Sequence, residues 1–460
     1  MSRNRKHNSQ KKTGNIIKVA KRASVLHRVN PHAAAIDVGG KAHFVAVPPE
    51  SAENPVREFG VMTQDLLGLA DWLKKCKVTT VAMESTGVYW IPLFEVLEAR
   101  GFGVKLVDAR KVKNVSGRKT DVLDCQWLQE LHTFGLLEGA FRPADEITVL
   151  RAYLRQREML VKYSASHKQH IQKALQQMNL RLDNVVSDIT GETALTILKA
   201  ILSGERRPEK LAKFRNNRCH ATEEEIAASL QGNFRAEHLF ALRQAVELYQ
   251  EYRQKITDCE GEIAQYLQTL EERTTDEMPK PPDGKKSTLT FDVREQLFRQ
   301  LGTDVLRIKG VNSETALVIY SETGRDLERQ FGNEKRFCRW LGLCPGTKTS
   351  GGKVLSSRTR ANPSRAAAAF RQAAVSVGKT DTAHGAFYRR MSSRLGRAAA
   401  VTATAHKLAR IWYAMVTSGT QYDEAGAQVY EERYKTRVIK GLEKKARALG
   451  YNLQPQAAIA

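Results

Sequence analysis

The chain has 460 residues, and its 73 Lys and Arg against 50 Asp and Glu give a formal charge of +23. A hydrophobic fraction of 42% supports packed cores, and the length allows two or three domains, which excludes a wholly disordered chain. A charge surplus this large repels itself unless a polyanion neutralises it, so nucleic acid is the leading partner; no apolar run reaches the ~18–20 residues of a membrane span.

Residues 1–32 hold no acid, while Arg3, Arg5, Lys6, Lys11, Lys12, Lys18, Lys21 and Arg22 crowd the first stretch. No apolar core of a leader peptide follows them. The segment reads as a basic disordered arm, either a solvated tail or a nucleic-acid contact, on a cytoplasmic, prokaryotic protein.

Residues 33–145 have an α/β pattern. AAAIDV reads as a buried strand, HFVAVP as a second and REFGVM as a third. From Asp65 to Lys75 the apolar residues Leu66, Leu67, Leu69, Trp72 and Leu73 recur at helical period. TTVAMES is another strand, VYWIPLFEVLEAR a helix stopped before Gly101, and VKLVDA a fifth strand; DVLDCQWLQELHTFG is a helix closed by Gly135. Three strands, then helix–strand–helix–strand–helix, is the order of the ribonuclease-H-like fold.

Residues 146–277 are poor in Gly and Pro and read as long helices over about 146–180 and 235–272, a helical or coiled-coil spacer. A linker over 278–294 contains MPKPPDGKKS, the clearest boundary. Residues 295–420 form a second, mostly α domain. In it RIKGVNSETALVIYSE resembles a helix–hairpin–helix with Gly310 in the turn and Ser313 or Glu314 opening the second helix, a device that offers backbone N–H groups to phosphates. Asn362 and Pro363 are expected to cap and start a helix through Ala374, and another helix runs over about 397–416. Residues 421–460 are a charged helical tail. Cys76, Cys125, Cys219, Cys259, Cys338 and Cys344 are scattered with no zinc spacing, and read as reduced, mostly buried thiols.

Four carboxylates carry the chemistry. Asp37 ends the first strand and Glu84 the fourth. Asp121 and Asp124 lie one helical turn apart, so they face the same way. Converging, the four would repel each other unless cations filled the cluster, and hard oxygen ligands favour Mg²⁺ or Mn²⁺. Singly each acid also reads as a cap, a turn residue or a solvated face.

The runs AIDVGGKAHFVAV, AMESTGVYWIPLFEVLEARGFGVKLVDARKVKNVSGRKTDVLDCQWLQELHTFGLLEGAFRP and GLCPGTKTSGGK resemble the DEDD-type transposases of the IS-110 insertion-sequence family, over roughly residues 30–420. The resemblance implies that Asp37, Glu84, Asp121 and Asp124 are the metal-binding tetrad of a RuvC-like domain. Lys119 fits a basic residue that meets phosphate beside the metals, or a solvated lysine. It also implies a second-domain serine that attacks DNA phosphate. That role lands best on Ser350, with Ser356 and Ser357 competing and Thr349 a weaker stand-in. Between Lys335 and Thr420 there are sixteen Lys or Arg and one acid, Asp381. Lys348, Lys353, Arg358, Arg360 and Arg365 surround Ser350 in sequence and are the nucleic-acid-binding candidates. His384 and His406 are proton-transfer candidates by residue type only. Phe337, Trp340, Phe370, Phe387, Tyr388, Trp412 and Tyr413 are either core or platforms for unpaired bases.

By the same resemblance the protein is a transposase that works with DNA and a structured non-coding guide, or bridge, RNA. A homodimer assembles to a tetramer on two DNAs and completes its active sites across protomers. Two other readings are a RuvC-like metal-dependent junction-resolving endonuclease and a non-enzymatic nucleic-acid-binding protein.

Overall fold

AAAIDV forms the central strand of the first sheet because it can be buried on both faces: Ala33, Ala34, Ala35 and Ile36 are wholly inaccessible in the computed structural model. The structure describes residues 27–84, 87–107, 121–280, 289–360, 362 and 364–454, with the backbone alone at 121 and 122. Most of the expected arm, 1–26, and the middle of the expected linker, 281–288, lie outside the described residues. The chain divides into two units, Met1–Arg142 and Pro143–Ala460.

In the first unit β1 (Ala33–Val38), β2 (His43–Ala46) and β3 (Val56–Phe59) form an antiparallel meander. Then follow α1 (Thr63–Lys75), β4 (Thr80–Glu84), α2 (Trp90–Ala99), β5 (Gly103–Val107) and α3 (Asp121–Thr133). The sheet order is β3-β2-β1-β4-β5, with β1, β4 and β5 parallel, which is the ribonuclease-H-like arrangement expected from the element order. Ile36, Val38, Val45, Val81 and Met83 pack on Leu66, Leu69 and Leu73 of α1 and Leu93 and Leu97 of α2. Each such fully buried side chain contributes about 1.5–3 kcal/mol. The opposite face carries Ala35, Ala82 and Val107 against Leu128 and Leu137.

Alanines on that face let α3 lie close to the sheet, and long-range hydrogen bonds set its direction. Gln129 Nε2 donates to Ala33 O at 3.1 Å, and the backbone N–H groups of Val29 and Asn30 donate to Thr133 O at 2.9 Å. His132 Nε2 lies 3.0 Å from Thr80 Oγ1, which itself donates to Gly103 O at 2.8 Å. Thr80 has spent its proton, so the imidazole donates from Nε2. Its Nδ1 has no partner among the described residues, which fits a neutral ring. The C-terminal half of α3 therefore sits at the start of β1 and β4, and its N-terminal half at their ends.

The second unit opens with α4 (Asp145–Gln177), which pairs antiparallel with α8 (Ala236–Thr269). The seam includes Tyr153 with Tyr266, Tyr163 with Tyr252, and His167 stacked on Tyr252 at 5.3 Å. Buried Glu260 accepts from Arg157 Nε at 2.8 Å and from the Thr290 backbone N–H at 3.0 Å. Between the long helices α5 (Glu192–Leu202), α6 (Pro208–Ala212) and α7 (Glu223–Ser229) enclose Ile197, Leu198, Leu211 and Ile226. The two long helices thus match the expected spans, and the partner of each is the other.

Next comes α9 (Val293–Leu301), a 3₁₀ turn at Val305–Arg307, and α10 (Ser313–Thr323), capped by Asn312 Oδ1 accepting from Thr315 N at 2.8 Å. The segment before Gly310 is therefore one 3₁₀ turn, not a full helix. After α11 (Leu327–Phe331) and α12 (Glu334–Trp340) the chain makes a two-stranded hairpin, β6 (Lys348–Ser350) with β7 (Lys353–Ser356). The helices α13 (Arg365–Val377), α14 (Ala383–Leu395), α15 (Arg397–Ser418) and α16 (Ala427–Ala448) complete the unit. α13 starts later than Asn362 because Ser364 Oγ caps it, accepting from Ala367 N at 3.3 Å. Asn362 instead donates to Trp340 O at 2.6 Å and accepts from Ser364 N at 3.1 Å; Pro363 lies outside the described residues. All six cysteines are free, and four of them are buried. Among the described residues no helix is long and apolar enough to cross a membrane.

Two outcomes follow from this packing. Burial, and next the charge of Lys105, lower the His132 pKa from 6.5 to about 4. The unfolded chain takes up that proton first as pH falls. The stabilisation is therefore whole above pH ~6.5 and is lost toward pH ~4, at up to about 1.4 kcal/mol per pH unit. Urea midpoints of the parent should fall more steeply over that window than those of His132→Gln; parallel slopes would show that His132 is not the titrating group. The second concerns Gly310, whose φ is +88° and whose added Cβ would lie 2.5 Å from Ala373 O. Gly310→Ala should cost roughly 1–3 kcal/mol by urea unfolding, and a cost near zero would mean the turn re-forms freely.

Candidate active site

The expected site residues fall in two places, one in each unit. In the first unit the parallel register that sets Ile36 beside Met83 runs on to Asp37 and Glu84, at the ends of adjoining strands. Both acids alternate onto the face covered by α3, with Ala35 and Ala82. The antiparallel seat of α3 brings its first turns to the same end of the sheet.

Cys125 locates the third acid. It is fully buried, and its thiol is pushed up to about 12, first by burial and then by the negative charges of Asp37 and Asp124. A thiol that feels both carboxylates joins Asp37 and Asp124 to one neighbourhood. It also keeps its proton, so it offers no thiolate to a soft metal. The remaining donors are carboxylate oxygens, which suit a hard divalent cation. Among the described residues no three His, Cys, Asp or Glu close into a metal-holding group. The side chain of Asp121, and Lys119 altogether, lie outside the described residues.

The turn after β1 is built tightly. Gly39 N–H donates to Ala42 O at 3.1 Å, and a Cβ on Gly39 would meet that oxygen at 2.5 Å. A Cβ on Gly40 would come within 3.2 Å of the Tyr89 ring.

In the second unit Ser350 is exposed at the end of β6. Gly351 and Gly352 have φ of +53° and +74°, the signature of a two-residue type I′ turn. The turn sets Lys353 directly opposite Ser350, on the same face of the hairpin. Pro345 bridges to Thr359, and Gly346 N–H donates to Arg358 O at 3.0 Å, which anchors the hairpin base. Val354 and Leu355 are 63% and 69% exposed, large apolar groups with little cover.

The other candidates divide. Lys348, Arg358 and Arg360 are exposed. Arg365 is ion-paired with Glu158 instead of pointing freely into solvent. Ser356 Oγ accepts from Arg358 N at 3.3 Å, while Ser357 is exposed. His384 Nδ1 lies 3.2 Å from Glu424 Oε2 and 3.0 Å from the Tyr422 hydroxyl, a cluster with no sequence signal. Burial, then Arg410, lower the His406 pKa. Phe337, Phe370 and Trp412 are inaccessible and form one aromatic core; Phe387 does not belong to it.

Residues 34–180 match a transposase family, the DEDD type of IS110, and residues 303–389 match the transposase family IS116/IS110/IS902. The first match contains Asp37, Glu84, Asp121 and Asp124, and the second contains Ser350. No curated protein matches the chain.

Proposed function

The chain belongs to the IS110 family of transposases, and on that footing we propose that it cuts and rejoins DNA with Ser350 as nucleophile and with Asp37, Glu84, Asp121 and Asp124 as ligands of Mg²⁺ or Mn²⁺. DNA is its substrate as a transposase. What supports the reading is that Asp37 and Glu84 directly follow the paired Ile36 and Met83 on adjoining parallel strands, and that the charges of Asp37 and Asp124 both act on the Cys125 thiol.

In this mechanism Ser350 Oγ attacks the scissile phosphorus and gives up its proton. The bond from phosphorus to the 3′-oxygen breaks, and that oxygen leaves as a hydroxyl with a proton. The serine now holds the 5′-phosphate as an ester. A 3′-hydroxyl of another strand reverses the step and releases the serine, so bond energy is conserved and no nucleotide cofactor is consumed. Divalent cations, when bound, supply positive charge against the pentavalent phosphorus. The chain's own cations do the same from the serine side: Lys353 opposite the hydroxyl, and Lys348, Arg358 and Arg360 nearby, offset the charge and hold flanking phosphates. Lys119 would meet phosphate beside the carboxylates. Arg365 must leave Glu158 to join them.

A non-coding bridge RNA as guide, and a homodimer pairing into a tetramer, complete the proposal. Their support is the family resemblance and, for the RNA, the +23 charge. The rival use of the same carboxylates is to activate water for junction cleavage, which leaves no protein–DNA link.

The decisive test is a denaturing gel of the protein with 3′-end-labelled element-end DNA, guide RNA and Mg²⁺. Label should migrate with the protein. Ser350→Ala should reduce that product by about 10³-fold or more, and Ser356→Ala or Ser357→Ala should not. Cleavage without an adduct would replace the reading with the nuclease. A second expectation concerns the metal alone. Mg²⁺ or Mn²⁺ at a hundred times its dissociation constant should stabilise the parent by about 2.7 kcal/mol in thermal unfolding. The double variant Asp37→Asn, Glu84→Gln should lose that gain; an unchanged gain would put the ion elsewhere.

A further inference from the structure

The C-terminal helix α16 is attached in an unusual way. None of its side chains is fully buried. It meets α14 and α15 through rings and cations. Tyr430 stands edge-on to Phe387 at 6.3 Å, and Tyr434 is stacked beside Tyr430 at 6.5 Å. The Arg390 guanidinium lies 3.3 Å from the Tyr434 ring centre, and the Lys407 ammonium 3.9 Å from that of Phe387. These helices leave a cavity of about 460 Å³, lined among others by Phe387, Lys407, Tyr430, Arg433, Tyr434 and Arg437.

The cavity is large enough for a small organic ligand, and its wall combines two demands. It offers aromatic surface, and it holds cations whose charge is not neutralised locally. Among the described residues Lys407, Arg433 and Arg437 have no carboxylate at ion-pair distance. The nearby acids are committed elsewhere: Glu431 to Arg390, Asp423 to Arg307, and Glu424 to His384 and Tyr422. Burial, then Arg437 and Arg410, hold the Lys407 ammonium below its usual range, as expected of a site that lacks its counter-ion. A ligand that satisfies both demands is flat and anionic.

We propose that this cavity takes one unpaired nucleotide of a polynucleotide strand, its base on the Tyr430, Tyr434 and Phe387 rings and its phosphate among Lys407, Arg433 and Arg437. Stacking on tyrosine accepts any base, so the site selects unpaired over paired strand and not sequence. The assignment rests on the reading of the chain as a nucleic-acid enzyme, and it places a strand contact outside both the carboxylate cluster and the Ser350 hairpin.

The test uses the full-length protein and fluorescence anisotropy with 20-nucleotide oligo(U), oligo(dT) and a blunt duplex of equal length. Tyr430→Leu with Tyr434→Leu should weaken single-strand binding about tenfold and duplex binding by less than twofold. Arg433→Gln with Arg437→Gln changes only exposed cations, so it keeps the fold; it should lower the single-strand salt slope by up to about 0.7, the share of the one phosphate held there. Oligonucleotides carrying 4-thiouridine or 4-thiothymidine should photocrosslink to the peptide that holds Tyr430 and Tyr434. Stronger binding of oligo(U) assigns RNA, and equal binding assigns features common to both strands. Unchanged single-strand binding in both variants, or a crosslink mapped elsewhere, overturns the proposal. The serine adduct is scored separately. A parent that forms it while the variants bind normally refutes the cavity alone, and crosslinking at Tyr430 without any adduct refutes the recombination chemistry alone.

Discussion

The close seat of α3 on an alanine-lined sheet is the constraint on which the first unit depends. Ala35 and Ala82 leave room for a helix that larger side chains would hold away. The helix then runs against β1 because Gln129, His132 and Thr133 find partners outside the helix at and just before the strand starts. Its first turns have to come to the strand ends, where Asp37 and Glu84 stand. Packing and hydrogen bonding far from the acids thus decide to which end of the sheet α3 presents its first turns. A cluster of like charges is unfavourable by itself, so a fold that gathers them must hold them by contacts that do not involve charge. The fully buried Ile36, Leu69 and Met83 on the other face supply such contacts.

The second unit solves a different problem. Its long helices bury apolar residues such as Leu150, Ile171, Leu242 and Ile263, and they pair with each other. The α4–α8 seam is closed by aromatic rings and by the Arg157–Glu260 pair, which also reaches the Thr290 backbone beyond the segment 281–288. A buried carboxylate with two donors fixes register more than it adds stability, and removing one partner would leave a charge stranded. The stripe that could have served a coiled coil between copies is largely spent within the chain.

How much of this was legible depends on range. The strands and their order could be read from local runs such as AAAIDV and TVAME, since burial on both faces leaves a continuous apolar stretch. Asp37 and Glu84 were visible as strand ends. That Asp121 and Asp124 join them was expected from their spacing and from the resemblance; the bond that directs their helix, Gln129 to Ala33, leaves no local pattern. At the start of α13 two good caps competed. Asn362 lost to Ser364 because its side chain was drawn to Trp340 O. No hairpin was expected around Ser350, since strands of three and four residues with exposed side chains carry no periodic signal. Phe337 and Phe387 look alike in sequence, yet one is core and the other borders a cavity.

The manner in which α16 is fastened has a consequence for how the protein ages and varies. A helix that buries no side chain fully can come away without opening a hole in what it leaves behind. Its departure exposes tyrosine faces and arginines that water tolerates, so the loss is local and reversible. Proteases should find this end first, and insertions, deletions or replacement of the segment should accumulate there with little penalty to the remainder. The terminus is the part of the molecule most open to change between one descendant and the next.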